Sequence, residues 1–226
     1  MPSHSLDVLA GLTVPVPPAI AERAEAWRPG AVPAPAVPAA SVLLLRDGRR
    51  GLDTYLLHRH ARMAFAPSVV VFPGGRVDPV DESAPDPIRA CAVRETREET
   101  GVTLRADDLH DWAHWITPEV EPRRYATHFF VAVLPRGEEA ADVSGETDRA
   151  EWSTPADALA AAARGELALM PPTLSLLTEL AGLGSVADVL AAAADRVVVP
   201  VLPQPVRRDG RWVFRYPSRR REAADD

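Results

Sequence analysis

The stretch Arg94-Glu95-Thr96-Arg97-Glu98-Glu99-Thr100-Gly101-Val102 constrains this chain more than any other. Read as a helix, it sets Glu95, Glu98 and Glu99 at i, i+3 and i+4, so three carboxylates leave one face. Most charge runs are solvated faces, but this one is badly placed for that role. Glu95 and Glu99 form a like-charge i,i+4 pair, which costs roughly 0.2–0.5 kcal/mol. Glu98 and Glu99 also fall in the last turn before Gly101, where the helix dipole is negative and a cation is the stabilising choice. Local rules broken together at one spot point to a function that compensates. A divalent cation is the direct compensation. Three hard oxygen ligands on one turn suit Mg²⁺ or Mn²⁺, with water or substrate phosphate in the remaining positions.

The surrounding sequence frames that helix. Asp86-Pro87 supplies an N-cap and a proline at the first helical position, and Gly101 suits a left-handed C-terminal cap. Before it, Ser68-Val69-Val70-Val71-Phe72 predicts a strand buried on both faces, stopped by Pro73-Gly74-Gly75. The two glycines let the backbone turn sharply and approach a ligand closely. Further strands are expected at Ser41–Leu45, Asp53–His60 and Thr127–Leu134, the first two joined by a hairpin at Asp47-Gly48. Helices are expected at Ser153–Ala163, Thr173–Ala181 and Ser185–Ala194, and a strand, Asp209-Gly210 turn and strand over Val197–Tyr216. Strands interleaved with helices predict an α/β class with a mixed sheet. His110 and His114 lack the glutamate of a zinc motif and read as loop or packing residues, Trp112 and Trp115 read as core or lid, and Cys91 as a small core residue.

Three segments follow. Residues 1–40, rich in Pro and Ala, read as an arm with a short helix over Pro18–Trp27; 41–165 form the core; 166–226 form a C-terminal helical extension and terminal hairpin. The arm and the C-terminal helices are candidates for substrate cover or for a homodimer contact. The chain has 226 residues and a net charge of −7, and every one of its 25 cations is Arg. That balance argues against a non-specific nucleic-acid binder, which needs surplus cations to displace counterions. One cysteine excludes an internal disulfide framework. No apolar run approaches the roughly 18–20 residues of a membrane span, and no secretory signal is visible. The expected location is the cytoplasm.

Phe72-Pro73-Gly74-Gly75 and the whole of Arg94 to Val102 resemble the box of the Nudix hydrolases, G-x5-E-x7-R-E-U-x-E-E-x-G-U, where U is aliphatic. Two departures are visible. Thr96 stands at a U position, and Asp81, correctly spaced from Gly75, lies thirteen positions before Arg94, five more than the box has. Asp81, Glu82 and Asp86 therefore compete for the place of the first box glutamate, Asp86 keeping the distance to Arg94. The resemblance implies an α/β/α sandwich around a mixed sheet, and metal-dependent hydrolysis of a nucleoside diphosphate linked to another moiety. It also implies Glu95, Glu98, Glu99 and Gly75 as the metal site for Mg²⁺ or Mn²⁺, one glutamate doubling as base, and Arg94 as the residue that orients a box carboxylate. Glu146, six residues before Trp152, corresponds to a further glutamate of the family and reads equally well as an exposed loop residue.

For the substrate, Leu56 to Pro67 leading into Phe72-Pro73-Gly74-Gly75 is similar to the stretch before the box in coenzyme A diphosphohydrolases, without that signature's Thr, Arg, Ser and Gly. Arg62-Met63-Ala64-Phe65-Ala66-Pro67, with Trp115-Ile116-Thr117-Pro118-Glu119 and Met170-Pro171-Pro172-Thr173, resembles the acyl-CoA branch. That implies coenzyme A or acyl-CoA as substrate, giving 3′,5′-ADP and (acyl-)phosphopantetheine. A 3′-phosphate wants Arg or His, and Arg59, His60, Arg62 or Arg123-Arg124 could supply it, though solvent-facing Arg is commoner. Pro118, sixteen residues past Val102, is instead a spacing of ADP-ribose hydrolases. A non-catalytic nucleotide-binding module is a third reading, disfavoured because all three box glutamates are present and the C-terminal helices carry no basic face.

Overall fold

The computed structural model describes residues 8–9, 16–59, 69–145 and 147–216. Its centre is β1 (Ala36–Gly48), whose residues 39–45 are all buried. Alternation along this strand serves two cores. Ala40, Val42 and Leu44 face one cluster, with Cys91, Ala92 and Val102; Leu43 and Leu45 face the other, with Trp112, Leu176 and Leu177. A strand buried on both faces requires a layer on each side.

The sheet is mixed. Ten consecutive residues of β1 pair in parallel with β6 (Arg124–Val133), and its far end turns through a hairpin into antiparallel β2 (Gly51–Arg59). β5 (His110–Ile116) pairs antiparallel with β6, and β7 (Thr147–Ser153) lies along β2. Because β7 occupies one edge of β2 from Thr54 to Arg59, β1 and β3 (Val69–Val71) take turns on the other. β1 meanwhile pairs with β4 (Gly74–Arg76) through Ala39–Ser41. Phe72 and Pro73 thus bridge the fork where β1 and β2 part. The Val42 amide at 2.8 Å and the Ser41 hydroxyl at 2.9 Å both donate to the Pro73 carbonyl and pin the bridge.

On one face lies α2 (Pro87–Thr100); α1 (Pro18–Ala26) precedes the sheet. On the other face, after α3 (Pro155–Ala163) and the two-residue β8 (Ala168–Leu169), come α4 (Pro171–Ala181) and α5 (Val186–Ala194). Leu176, Leu177, Leu180 and Val189 are fully buried against the sheet, each worth about 1.5–3 kcal/mol on burial. The chain closes with β9 (Pro200–Val201), parallel to β5, and a separate hairpin of β10 (Gln204–Arg208) and β11 (Arg211–Arg215). Among the described residues, no single helix is long and apolar enough to cross a membrane.

The α/β sandwich around a mixed sheet agrees with the expectation, but several boundaries differ. β1 starts at Ala36, not Ser41, so the end of the expected arm belongs to the sheet. Pro38, without an amide, stays in place by accepting the Val77 amide at 2.9 Å. The helical part of 166–226 packs into the main core: α4 and α5, with α3, form the second layer of the sandwich. Val69 and Val71 are only half-buried, because β3 lies near the sheet margin beside short β8. His110 and His114, read as loop or packing residues, lie in strand β5, whereas Trp112 and Trp115 are buried in the core, one of the two places expected for them.

Candidate active site

α2 begins and ends where its cap residues dictate. The Asp86 carboxylate accepts from the Ile88 and Arg89 amides, each at 3.1 Å, Pro87 takes the first helical position, and Gly101 sits at φ +74°. Cys91, Ala92, Thr96 and Thr100 form the buried stripe. Thr96, where an aliphatic residue is usual, is accommodated because its hydroxyl donates to the Ala92 carbonyl at 2.7 Å. Glu95 and Glu99 flank the stripe and face β4.

Arg94 is the hub. Its Nε and Nη2 grip the Asp81 carboxylate at 3.0 and 2.8 Å, Nη1 donates to Glu95 Oε1 and to Glu98 Oε2, both at 2.9 Å, and Nη2 also reaches the Arg76 carbonyl. The planar fork suits such multidentate pairing. Of the three candidates for the first acidic position, Asp81 therefore makes the contact. Its side chain is 3% exposed, and the Arg94 hydrogen bonds hold its carboxyl below the usual value. Asp86 is committed to the helix cap and Glu82 is exposed. The extra five residues form the 3₁₀ turn Asp81–Ser83 and the lead into Asp86, so they bulge outward and leave both Asp81 and the cap in position.

The two glycines meet different neighbours, backbone at the first and a side chain at the second. Gly74 has φ +156°, and a Cβ there would come within 2.3 Å of the Ala40 carbonyl; its amide donates to Glu99 Oε2 at 2.7 Å. A Cβ on Gly75 would lie 2.2 Å from Glu95 Oε1. The second glycine leaves room for a carboxylate laid against the backbone. Burial raises the Glu95 pKa, with Glu98 and Asp78 adding to the effect against Arg94. Burial likewise pushes the Cys91 thiol up to about 12, so it is a packed core thiol and not a nucleophile.

The C-terminal carbonyls of α2, at the end burdened by Glu98 and Glu99, are satisfied from outside the helix. The Ala141 amide donates to Thr100 O and the Val143 amide to Glu99 O. No local signal in 138–145 announces this tie, and sequence reasoning missed it. Asp142, in the same loop, accepts from Ser144 and Thr147.

Arg94, Glu95, Glu98, Glu99 and Gly75 are thus brought together, with Gly74 and Asp81. Arg59 lies half-buried at the end of β2 and Arg123 is exposed in the turn before β6; neither hydrogen-bonds to the helix carboxylates. Arg124 is committed to the Thr117 and Ala34 carbonyls, and Pro118 opens the β5–β6 turn by accepting the Glu121 amide. His60, Arg62 and Glu146 lie outside the described residues. Among the described residues, no three His, Cys, Asp or Glu side chains stand together as a ready metal cage, which follows from Glu95 and Glu98 turning onto Arg94 and Glu99 onto Gly74. The donor set still fits a hard divalent ion. Three carboxylates, from Asp81, Glu95 and Glu98, share the guanidinium of Arg94, Glu99 lies on the Gly74 amide, and Glu95 rests against Gly75.

The NUDIX domain family matches residues 35–172, from the start of β1 to the first residues of α4. A Caenorhabditis elegans protein described as "Putative nudix hydrolase 7" is 32% identical over 210 residues, spanning 76% of this chain and 69% of that one. Among solved structures, a NUDIX hydrolase from Alicyclobacillus acidocaldarius superposes with a TM-score of 0.64 at 24% identity, over 74% of this chain and 99% of that one. The NUDIX domain of Shewanella oneidensis NrtR, solved with ADP ribose, gives 0.50 at 16% identity, over 70% and 94%. The box residues, the glycine-lined carboxylates and the sandwich converge with these matches: the chain belongs to the Nudix hydrolases.

Proposed function

We propose that this chain hydrolyses the pyrophosphate bond of a nucleoside diphosphate linked to another moiety X, with coenzyme A or an acyl-CoA as the preferred class. The observation that carries the reading is the carboxylate excess around Arg94 beside the Gly74-Gly75 backbone. Glu95, Glu98 and Glu99, with the Gly75 backbone, would hold Mg²⁺ or Mn²⁺, which supplies charge neutralisation on the phosphate oxygens and a bound water of lowered pKa. Asp81 locks the Arg94 plane, and Arg94 holds one oxygen of Glu95 and one of Glu98, so their orientation is set before substrate arrives. The Gly74 amide does the same for Glu99. A carboxylate must take the proton of the attacking water. Glu98, the most exposed of the three, and Glu99 are the candidates, with Glu146 as the third. Arg59, Arg62 and Arg123 are assigned to the substrate's outlying phosphate.

ADP-ribose is the second reading, favoured by the Pro118 spacing. The test is phosphate chemistry with Mg²⁺ or Mn²⁺ on coenzyme A, an acyl-CoA, ADP-ribose, NADH and a nucleoside triphosphate. Cleavage of coenzyme A to 3′,5′-ADP and phosphopantetheine, reduced about 10²-fold or more in Glu98→Gln and Glu99→Gln, is the expected result. Turnover of ADP-ribose alone would replace the substrate. No turnover, with a nucleotide still raising the Tm, would reduce the chain to a binding module.

A further inference from the structure

The acidic last turn of α2 is held from outside by a strap. Glu98 and Glu99 oppose the helix dipole there, and the last carbonyls of a helix have no partner within it. Residues 138–143 run across that end. The Glu138 carboxylate accepts the Thr103 amide at 3.4 Å, the Ala141 amide donates to Thr100 O at 3.0 Å, and the Val143 amide donates to Glu99 O at 3.3 Å. The last bond falls on the residue whose carboxylate accepts the Gly74 amide at 2.7 Å. Glu99 is therefore fixed by two segments, its backbone by the strap and its side chain by β4.

Asp142 stands between the two donating amides. Its Oδ1 accepts the Ser144 amide and the Ser144 hydroxyl, both at 3.1 Å, and its Oδ2 accepts the Thr147 hydroxyl. Thr147 opens β7, which pairs along β2. One carboxylate thus ties the strap to the sheet. Burial works against its charge, yet the Thr147 and Ser144 hydroxyls and the Ser144 and Gly145 amides hold the carboxyl below its usual value. Its hydrogen bonds are accordingly charge-assisted, the stronger class. Burial raises the pKa of the Tyr55 phenol on β2 and the Asp142 charge adds to it, as a carboxylate facing the sheet would.

We propose that Asp142 is a positioning residue for the metal site: by closing the strap onto β7 it keeps the Ala141 and Val143 amides on the last turn of α2, and so keeps Glu98 and Glu99 in register to receive a divalent ion. The inference rests on the metal-dependent hydrolase reading above and adds a control to the same site. Two burdens meet in that turn. Carboxylates gathered for a cation repel one another until it arrives, and at a helix C-terminus they also work against the dipole. The strap amides put positive partial charge where the dipole is negative, so the turn stays formed in the metal-free chain. Strap and metal stabilise the same turn, and each must favour the other by the same factor.

The experiment uses the full chain with Asp142→Ala, Asp142→Asn and Thr147→Val, the last removing one hydroxyl and leaving the carboxylate in place. Mn²⁺ affinity is measured without substrate, from the EPR signal of the free ion. Asp142→Ala should raise the Kd about tenfold or more, with Asp142→Asn and Thr147→Val between it and the wild type. In hydrogen exchange of the wild type, saturating Mg²⁺ should slow the Ala141 and Val143 amides by a similar factor. Hydrolysis by the variants should lose kcat at limiting metal and regain it at high metal. A loop that merely supports the fold would lower Tm and leave the Mn²⁺ Kd alone. A wild-type Kd in all three variants while thermal unfolding shows them folded, or strap amides indifferent to Mg²⁺, overturns the coupling. Weakened Mn²⁺ binding and Mg²⁺-dependent protection with no substrate cleaved uphold the coupling and sink the hydrolase reading instead.

Discussion

Asp81, which keeps the box's spacing from Gly75, meets Arg94 through two hydrogen bonds to one guanidinium. The side chain is almost wholly buried, so its charge is tolerated only while Arg94 is paired with it. Asp81→Asn keeps the size but halves the charge-assisted grip, and a loss of about 1–3 kcal/mol is expected at pH 7. Because Asp81 titrates lower in the folded chain than in the unfolded one, its contribution is fully present above the unfolded carboxylate value of about 3.9 and fades as pH falls through the folded value. Urea denaturation of wild type and Asp81→Asn should therefore diverge at pH 7 and converge as pH drops below about 4. A constant gap across that range would remove the charge from the account.

At the scale of elements, helix α2 was legible because its ends are chemical. Asp86, Pro87 and Gly101 each meet a geometric demand that few residues meet, and the observed helix runs between them. Asp86→Ala should cost about 1 kcal/mol in thermal unfolding while leaving the Arg94 cluster and its kinetics in place, since Asp86 touches only the cap and Arg89. The candidate site was legible for the same reason: Glu95, Glu98 and Glu99 share a face whatever packs around them. β5 was not legible. A register shift between Asp111 and Ala113 breaks the alternation and allows Trp112 and Ala113 both to be buried. The start of β1 was hidden by composition, since Pro35 to Ala40 looks like extended arm until a partner strand is known. The choice of Asp81 over Asp86 also waited on three dimensions, because two correct spacings conflicted and only contact decides between them.

For the whole molecule, the C-terminal helices matter more than the box suggests. The layer opposite α2 is built by α4 and α5, which lie beyond most of the NUDIX match, together with α3 inside it. It is tied in by Arg196, which lies over the Trp112 ring, donates to the Trp112 carbonyl and pairs with buried Glu179 of α4. Removing core volume there must destabilise the sheet that carries the site. Leu177→Ala, at a fully buried position, is expected to cost about 2–5 kcal/mol and lower activity only in proportion to the unfolded fraction. Calorimetry and kcat measured well below the Tm separate the two effects; a lowered kcat in fully folded protein would contradict a purely supporting role.

The parallel pairing of β1 with β6 also sets an order of assembly. Ala36 meets Arg124 and Leu45 meets Val133, so the central strand has no long partner until chain far downstream has been synthesised, and closing so large a loop is slow. α2 and its caps can form early from local contacts, carrying their carboxylates with them. The Gly74-Gly75 backbone reaches them only after β1 is seated to pair with β4. On the ribosome, then, the acidic helix emerges well before the surface that completes it, and the nascent chain holds the parts of the site without the site.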